Sequence, residues 1–154
     1  MTTEKLVWYQ NDDSQEYLAV EKVIHAAMLK KAEDIVVLDL RGNSDIADFF
    51  IVMTASTHVQ VSAVSRSVIN NMIKCGEKPV HKEGEDTFNW VLIDYFDIVV
   101  HVMQPKAREY YDLERLWNDV QRLDVPEDYF ESQAVRDRHP DLFSANEADE
   151  NDNS

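Results

Sequence analysis

Trp90-Val91-Leu92-Ile93-Asp94-Tyr95-Phe96-Asp97-Ile98-Val99-Val100-His101-Val102-Met103 reads as two strands and the turn between them. Apolar and β-branched residues fill Trp90 to Asp94 and Ile98 to Met103, and Asp94-Tyr95-Phe96-Asp97 interrupts them where the chain must reverse. Downstream, Pro105 suits the first turn of a helix, where its missing amide would have no partner in any case. Tyr110, Leu113, Leu116, Trp117 and Val120 then recur as the buried stripe of that last helix.

Upstream, Asp13 and Glu16 have capping-box spacing, in which the first side chain and the residue three on satisfy each other's backbone amides. A helix is expected from there to about Ala32, with Val20, Ile24, Ala27 and Met28 on one face. Ile35 to Leu40 reads as a strand, Arg41-Gly42-Asn43-Ser44 as a turn, and Phe49 to Met53 as a second strand. Thr57 and Gln60 open another helix, whose Val61, Val64, Val68 and Met72 share a face and whose end falls at Lys74-Cys75-Gly76. A short edge strand near Val80 precedes the acidic loop Glu83-Gly84-Glu85-Asp86. The expected architecture is an α/β (α+β) domain, a small mixed sheet of about five strands flanked by helices. It occupies residues 13–123, between a flexible N-terminus (1–12) and an acidic C-terminal tail (124–154) whose composition predicts disorder.

The net charge of -15 is uneven, at -3 over residues 1–17, -5 over 18–120 and -7 over 121–154. Phosphate backbones repel such a chain, since nucleic-acid affinity comes largely from Lys and Arg. Unless the fold gathers a local basic patch, little or no direct nucleic-acid binding is expected, and a basic protein is the better partner. Cys75 is alone and cannot form an internal bridge, and no apolar run approaches the roughly 20 residues that span a bilayer. A cytoplasmic protein with no membrane contact is the simplest reading.

Catalytic and metal constellations are missing at the spacings chemistry requires. Strand carboxylates that share a metal lie two apart, whereas Asp45 with Asp48 and Asp94 with Asp97 are three apart. His25, His58, His81, His101 and His139 show no ligand spacing. Thr54-Ala55-Ser56-Thr57 lacks the glycines of a phosphate cradle, so capping explains it better. No catalytic residue, metal or cofactor is assigned. What remains is a surface: Trp90 beside an acidic loop, with Asp94 and Asp97 bracketing Tyr95 and Phe96, a composition suited to a hot spot for a basic partner. The competing reading makes Trp90 and Tyr95 core residues, and His101 a half-buried ring bonded to a neighbour.

These blocks together with Asp48-Phe49-Phe50-Ile51-Val52-Met53-Thr54-Ala55-Ser56-Thr57-His58-Val59-Gln60 and the run Arg108 to Trp117 resemble the Iojap or ribosomal silencing factor family, over roughly residues 18–118. The resemblance implies a nucleotidyltransferase-like topology without enzyme activity. It also implies binding to a large-subunit ribosomal protein, number fourteen of its series, which blocks subunit joining and represses translation. Partner-binding roles fall on Trp90, Asp94, Tyr95, Phe96, Asp97, Glu83 and His101, whereas Tyr110, Leu113 and Trp117 are read as core. Phe96 departs from the family pattern, where glycine is common, so this turn is expected either to be of an ordinary type or to carry strain. Large-subunit assembly, a nucleotide-binding relic of the fold, and a homodimer when free are the rival readings.

Overall fold

Ser14, not Asp13, caps the first helix of the computed structural model, which describes residues 12–143: its hydroxyl accepts from the Tyr17 amide at 3.2 Å. Helix α1 spans Gln15–Met28 and buries Tyr17, Val20, Val23, Ile24 and Ala27. It stops short of Ala32 because the chain turns at Lys31, which takes a φ of +62°. Strand β1 (Glu33–Asp39) pairs antiparallel with β2 (Phe49–Thr54), setting Val37 opposite Ile51 and Asp39 opposite Phe49.

Helix α2, His58–Lys74, begins as its sequence predicts: the Thr57 hydroxyl accepts from the Gln60 amide at 3.1 Å. Gln60 returns the contact one residue upstream, to the Ser56 amide at 2.7 Å. Strands β3 (His81–Glu83), β4 (Trp90–Asp94) and β5 (Ile98–Met103) follow. Pro105 opens α3 (Pro105–Tyr111), but the expected single helix breaks at Asp112, whose φ of +44° redirects the chain into a short α4 (Leu113–Leu116).

A sixth strand, β6 (Gln121–Asp124), lies beyond the five expected and pairs antiparallel with β1. The sheet order is β3-β4-β5-β2-β1-β6, with β2 and β5 parallel at the centre and every other pair antiparallel. Alternation along the strands sorts side chains to two faces. Phe49, Ile51, Met53, Val91, Ile93, Val100 and Val102 meet α1 and α2 in the main core. Val36, Leu38, Phe50, Val52, Val99 and Met103 face the other way and are buried there with Leu113, Trp117, Val120 and Ala107.

Residues 124–143 differ from the expected disorder. A turn at Tyr129–Glu131 and helix α5 (Gln133–Arg138) bury Tyr129, Phe130 and Val135 against the main core. Glu21 of α1, fully buried, ties them down. It accepts from Tyr129 Oη and Arg138 Nη2, each at 2.5 Å, and lies 2.9 Å from His139 Nε2. Composition averaged over an acidic segment hides such a cluster, because four or five apolar side chains with one paired charge suffice to fold it back. The expectation of flexibility for 1–12 concerns residues that, except Asp12, lie outside the described ones, as does the end of the tail. Among the described residues no helix is long and apolar enough to cross a membrane.

Candidate functional site

The β4–β5 ladder sets Leu92 opposite His101, Trp90 opposite Met103 and Asp94 opposite Val99. Trp90, Leu92 and Asp94 are half-buried on the second face, while Val91 and Ile93 between them enter the main core. The strand therefore carries Trp90 to a surface by the same alternation that anchors its neighbours. Gly84, with a φ of +91°, lies so close to this strand that a Cβ there would overlap the Trp90 carbonyl. Only glycine satisfies both demands, so the acidic loop fixes the backbone that presents the indole.

The indole N–H of Trp90 donates to His101 Nδ1 at 3.1 Å. His101 is 4% exposed, and burial lowers its pKa to about 4. It is a neutral acceptor at physiological pH, with its proton on Nε2, a buried atom that finds no hydrogen-bond partner among the described residues. The imidazole packs against Phe50, ring centroids 4.8 Å apart, and Phe50 meets Trp117 at 6.1 Å. On its other side Trp90 packs on Tyr111 at 4.6 Å, and Tyr111 on Tyr110 at 4.9 Å. A continuous aromatic row thus crosses three strands and ends at α3. Arg108 holds that helix in place through Thr54 Oγ1 at 2.9 Å and Glu114 Oε2 at 2.9 Å.

Tyr110 is 81% exposed and Leu116 71% exposed, so neither forms the buried stripe expected of them; the turn at Asp112 splits the expected helix in two, and no continuous face joins them. Leu113 is buried as expected, and Trp117 packs in part on the second face. Between Trp90 and α3 lies a groove of about 580 Å³, lined by Thr87, Asn89, Gln104, Lys106, Tyr110 and Tyr111. Sequence reasoning missed Tyr110 and Tyr111 as surface residues; their adjacency in a short helix was the available signal, since two neighbours cannot both face one core.

The β4–β5 turn resolves the question that Phe96 posed. Phe96 takes a φ of +80°, its amide donates to Asp94 Oδ1 at 2.7 Å, and the Asp97 amide donates to the Tyr95 carbonyl at 3.0 Å. This is a γ-turn with positive φ at a bulky residue, a strained arrangement. It leaves Phe96 73% exposed beside exposed Asp97. Tyr95 continues the alternation to the opposite side and packs against the main core, where burial raises its hydroxyl well above the ordinary range. It therefore does not join Trp90. Glu83 sits exposed on edge strand β3, 2.7 Å from His81 Nε2, and pairs in register with Leu92.

The same turn brings together acids that the sequence keeps far apart. Carboxylate oxygens of Glu16, Asp48 and Asp97 lie within 4.8 Å of one another. Glu16 Oε2 is buried and, among the described residues, meets no N–H or hydroxyl donor. A hydrogen bond with Asp48, with burial and the Asp48 charge beside it, raises the Glu16 pKa to about 7. A proton shared between Glu16 and Asp48 accounts for this approach without a cation. The cluster pairs one member of each three-apart couple and lies at the end of the hairpin.

The family model described as "Ribosomal silencing factor during starvation" matches residues 11–152. The ribosomal silencing factor RsfS of Bacillus subtilis is 40% identical over 96 residues, 62% of this chain and 81% of that protein. The mouse protein named "Mitochondrial assembly of ribosomal large subunit protein 1" is 27% identical over 101 residues, 64% of this chain and 44% of that one. Among solved structures, the Chromobacterium violaceum protein CV0518 superposes with a TM-score of 0.64 at 37% identity, covering 65% of this chain and 83% of its own. The relatives carry the names of silencing or assembly factors, not of enzymes. With a family model spanning nearly all of its length, the chain belongs to the ribosomal silencing factor family.

Proposed function

We propose that this protein represses translation by binding a basic protein of the large ribosomal subunit, number fourteen of its series, and excluding the small subunit by its bulk. The observation that carries the reading is Trp90, half-buried beside exposed Tyr110, on a hairpin whose far end holds half-buried Asp94 and exposed Asp97. An aromatic anchor with a carboxylate rim suits a cationic partner, and one Trp truncation at such a centre costs roughly 2 kcal/mol or more. The contacting residues in this reading are Trp90, Asp94, Phe96 and Asp97, with Glu83 at the margin; Tyr95, turned to the main core, supports the turn from behind. His101 acts through Trp90. No bond is made or broken, and no cofactor enters. The working unit includes the segment to Phe143 that packs back on α1, and its place of action is the cytoplasm.

Co-sedimentation tests the reading. The chain travels with isolated large subunits, not with small ones, and Trp90→Ala or the pair Asp94→Lys and Asp97→Lys weakens this at least tenfold while circular dichroism stays unchanged. Undiminished binding by the folded variants removes this surface from the mechanism. A second reading, assembly of the large subunit, is favoured by the name of the mouse relative. Loss of the protein in growing, well-fed cells would then accumulate large-subunit precursors, whereas a silencing role leaves those cells unaffected. A nucleotide-binding role requires saturable heat on titration with nucleoside triphosphate and magnesium.

A further inference from the structure

The exposed ridge of α2 differs in charge from the chain as a whole. From Thr54 to Gly76 the sequence holds no Asp or Glu. Within that stretch Arg66, Asn70 and Lys74 are spaced four apart on α2, which places them on one ridge, and all three are exposed. Lys30, just beyond the end of α1, joins them around a groove of about 710 Å³ whose walls also include Ser67 and Asn71. Among the described residues Lys30, Arg66 and Lys74 enter no ion pair, unlike Lys22 nearby in sequence, which faces Asp141 at 3.6 Å.

We propose that this groove is a second contact surface, one that seats the phosphate backbone of RNA. Its lining supplies the guanidinium of Arg66, the ammonium groups of Lys30 and Lys74 and the exposed amide of Asn70, groups that contact phosphate and sugar, while Ser67 and Asn71 are already bonded to the protein. Among the described residues no aromatic side chain lines it, so it offers no platform there for a stacked base. Arg66 and Lys74 are separated by about 12 Å of helix rise, along which one strand of a duplex presents about three or four phosphates. Three cations on that ridge and its neighbour suit that density. An acidic peptide carries charge at less regular spacing and gains nothing from the amides as sugar partners. The overall charge of -15 disfavours nucleic acid only for a chain whose cations are dispersed, and here the fold gathers them on the side of the sheet away from Trp90. The surface is independent of the protein-binding reading above and does not require it.

The test is fluorescence anisotropy of a short duplex RNA with the full chain, alongside polyglutamate of matched charge. Saturable RNA binding is expected at low salt, falling on the order of 40-fold between about 50 and 200 mM salt if three phosphates are neutralised. The combined variant Lys30→Ala, Arg66→Ala, Lys74→Ala, whose substitutions are all exposed, loses at least tenfold in affinity and about two to three in the slope of log affinity against log salt. Trp90→Ala binds RNA as the parent does, so failure of the Trp90 surface on ribosomal subunits leaves this result untouched. The proposal is overturned by absence of saturable RNA binding at the lowest salt, by equal binding of the folded triple variant, by loss of RNA binding in Trp90→Ala, or by tighter binding of polyglutamate than of RNA.

Discussion

Trp90 and His101 hold one another in place: the indole donates at 3.1 Å to an imidazole that burial keeps neutral, with its pKa near 4. A protonated His101 has no acceptor nitrogen, so it cannot keep this bond and would carry an unpaired charge beside Phe50. Because the folded pKa lies below the usual 6.5, the stabilising contribution of His101 is fully present above about pH 6.5 and is lost as pH falls through about 4. At full burial that loss is at most about 3 kcal/mol. Urea unfolding of the parent and of His101→Leu at pH 7 and pH 4.5 checks it. The variant is less stable at pH 7, and the gap narrows or closes at pH 4.5; a gap independent of pH would show that the ring is not held neutral.

Trp90→Phe keeps a ring at the surface and deletes the N–H. His101 Nδ1 then joins Nε2 as a buried nitrogen without a partner, which costs about 1 kcal/mol. Large-subunit binding falls less than in Trp90→Ala, because most of the apolar contact area survives. Thermal unfolding and co-sedimentation, run on the same preparations, separate the two effects.

At Phe96 stability and binding should move in opposite directions. Its φ of +80° strains a phenylalanine, and Phe96→Gly relieves that while the Asp94 carboxylate still accepts from the residue's amide. After the greater unfolded-state entropy of glycine is counted, a gain of about 1 kcal/mol in denaturant unfolding is expected. The exposed ring leaves with the substitution, so affinity for large subunits drops several-fold. A variant that gains stability and binds as before would show that Phe96 lies outside the interface.

The buried Glu21 joins α1 to the C-terminal segment. Burial alone would raise its carboxyl, but hydrogen bonds from His139, Arg138 and Tyr129 outweigh burial and hold it below the ordinary range. Glu21→Leu removes the buried carboxylate that Arg138, His139 and Tyr129 share and is expected to cost about 3 kcal/mol or more. Trypsin should then cut at Arg136 and Arg138 well before it cuts elsewhere, as followed by mass spectrometry. Uniform digestion would show that the segment is held by its apolar contacts alone.

The elements that the sequence made legible are those set by local chemistry. Thr57 with Gln60, Pro105, and the alternation through Val91, Ile93, Val100 and Val102 each act within a few residues of themselves. Trp90, Asp94 and Asp97 were likewise readable as aromatic and acidic neighbours. The aromatic row was not, because Phe50, His101 and Trp90 become neighbours only through strand register, which couples residues up to 51 positions apart. The break at Asp112 is not legible, since an aspartate at positive φ leaves no periodic trace, and it interrupts the stripe that Tyr110 and Leu116 were expected to share. The folded segment after Asp124 was hidden for a different reason: its key charge partner, Glu21, lies more than 100 residues earlier.

Glu16 provides the pH dependence of opposite sign to that of His101. Its folded pKa of about 7 lies above the ordinary value of 4.5, chiefly through its hydrogen bond with Asp48. Its contribution is therefore fully present below about pH 4.5 and is lost as pH rises through about 7, when three carboxylates within 4.8 Å must all carry charge. Glu16→Gln keeps a donor for Asp48 and cannot ionise. At pH 8 the variant should exceed the parent by on the order of 1 kcal/mol, a figure reduced from the full shift because the site is partly open to solvent. That corresponds to about 2 to 4 °C in thermal midpoint for a chain of this size. At pH 5 the parent carries the shared proton and the advantage disappears. Differential scanning calorimetry at the two pH values decides it: an equal difference at both would mean that Glu16 ionises normally, and that the hairpin end is held by its backbone bonds from Asp48 and Phe49 to the Asp97 carbonyl, at 2.8 and 3.0 Å, without help from a proton.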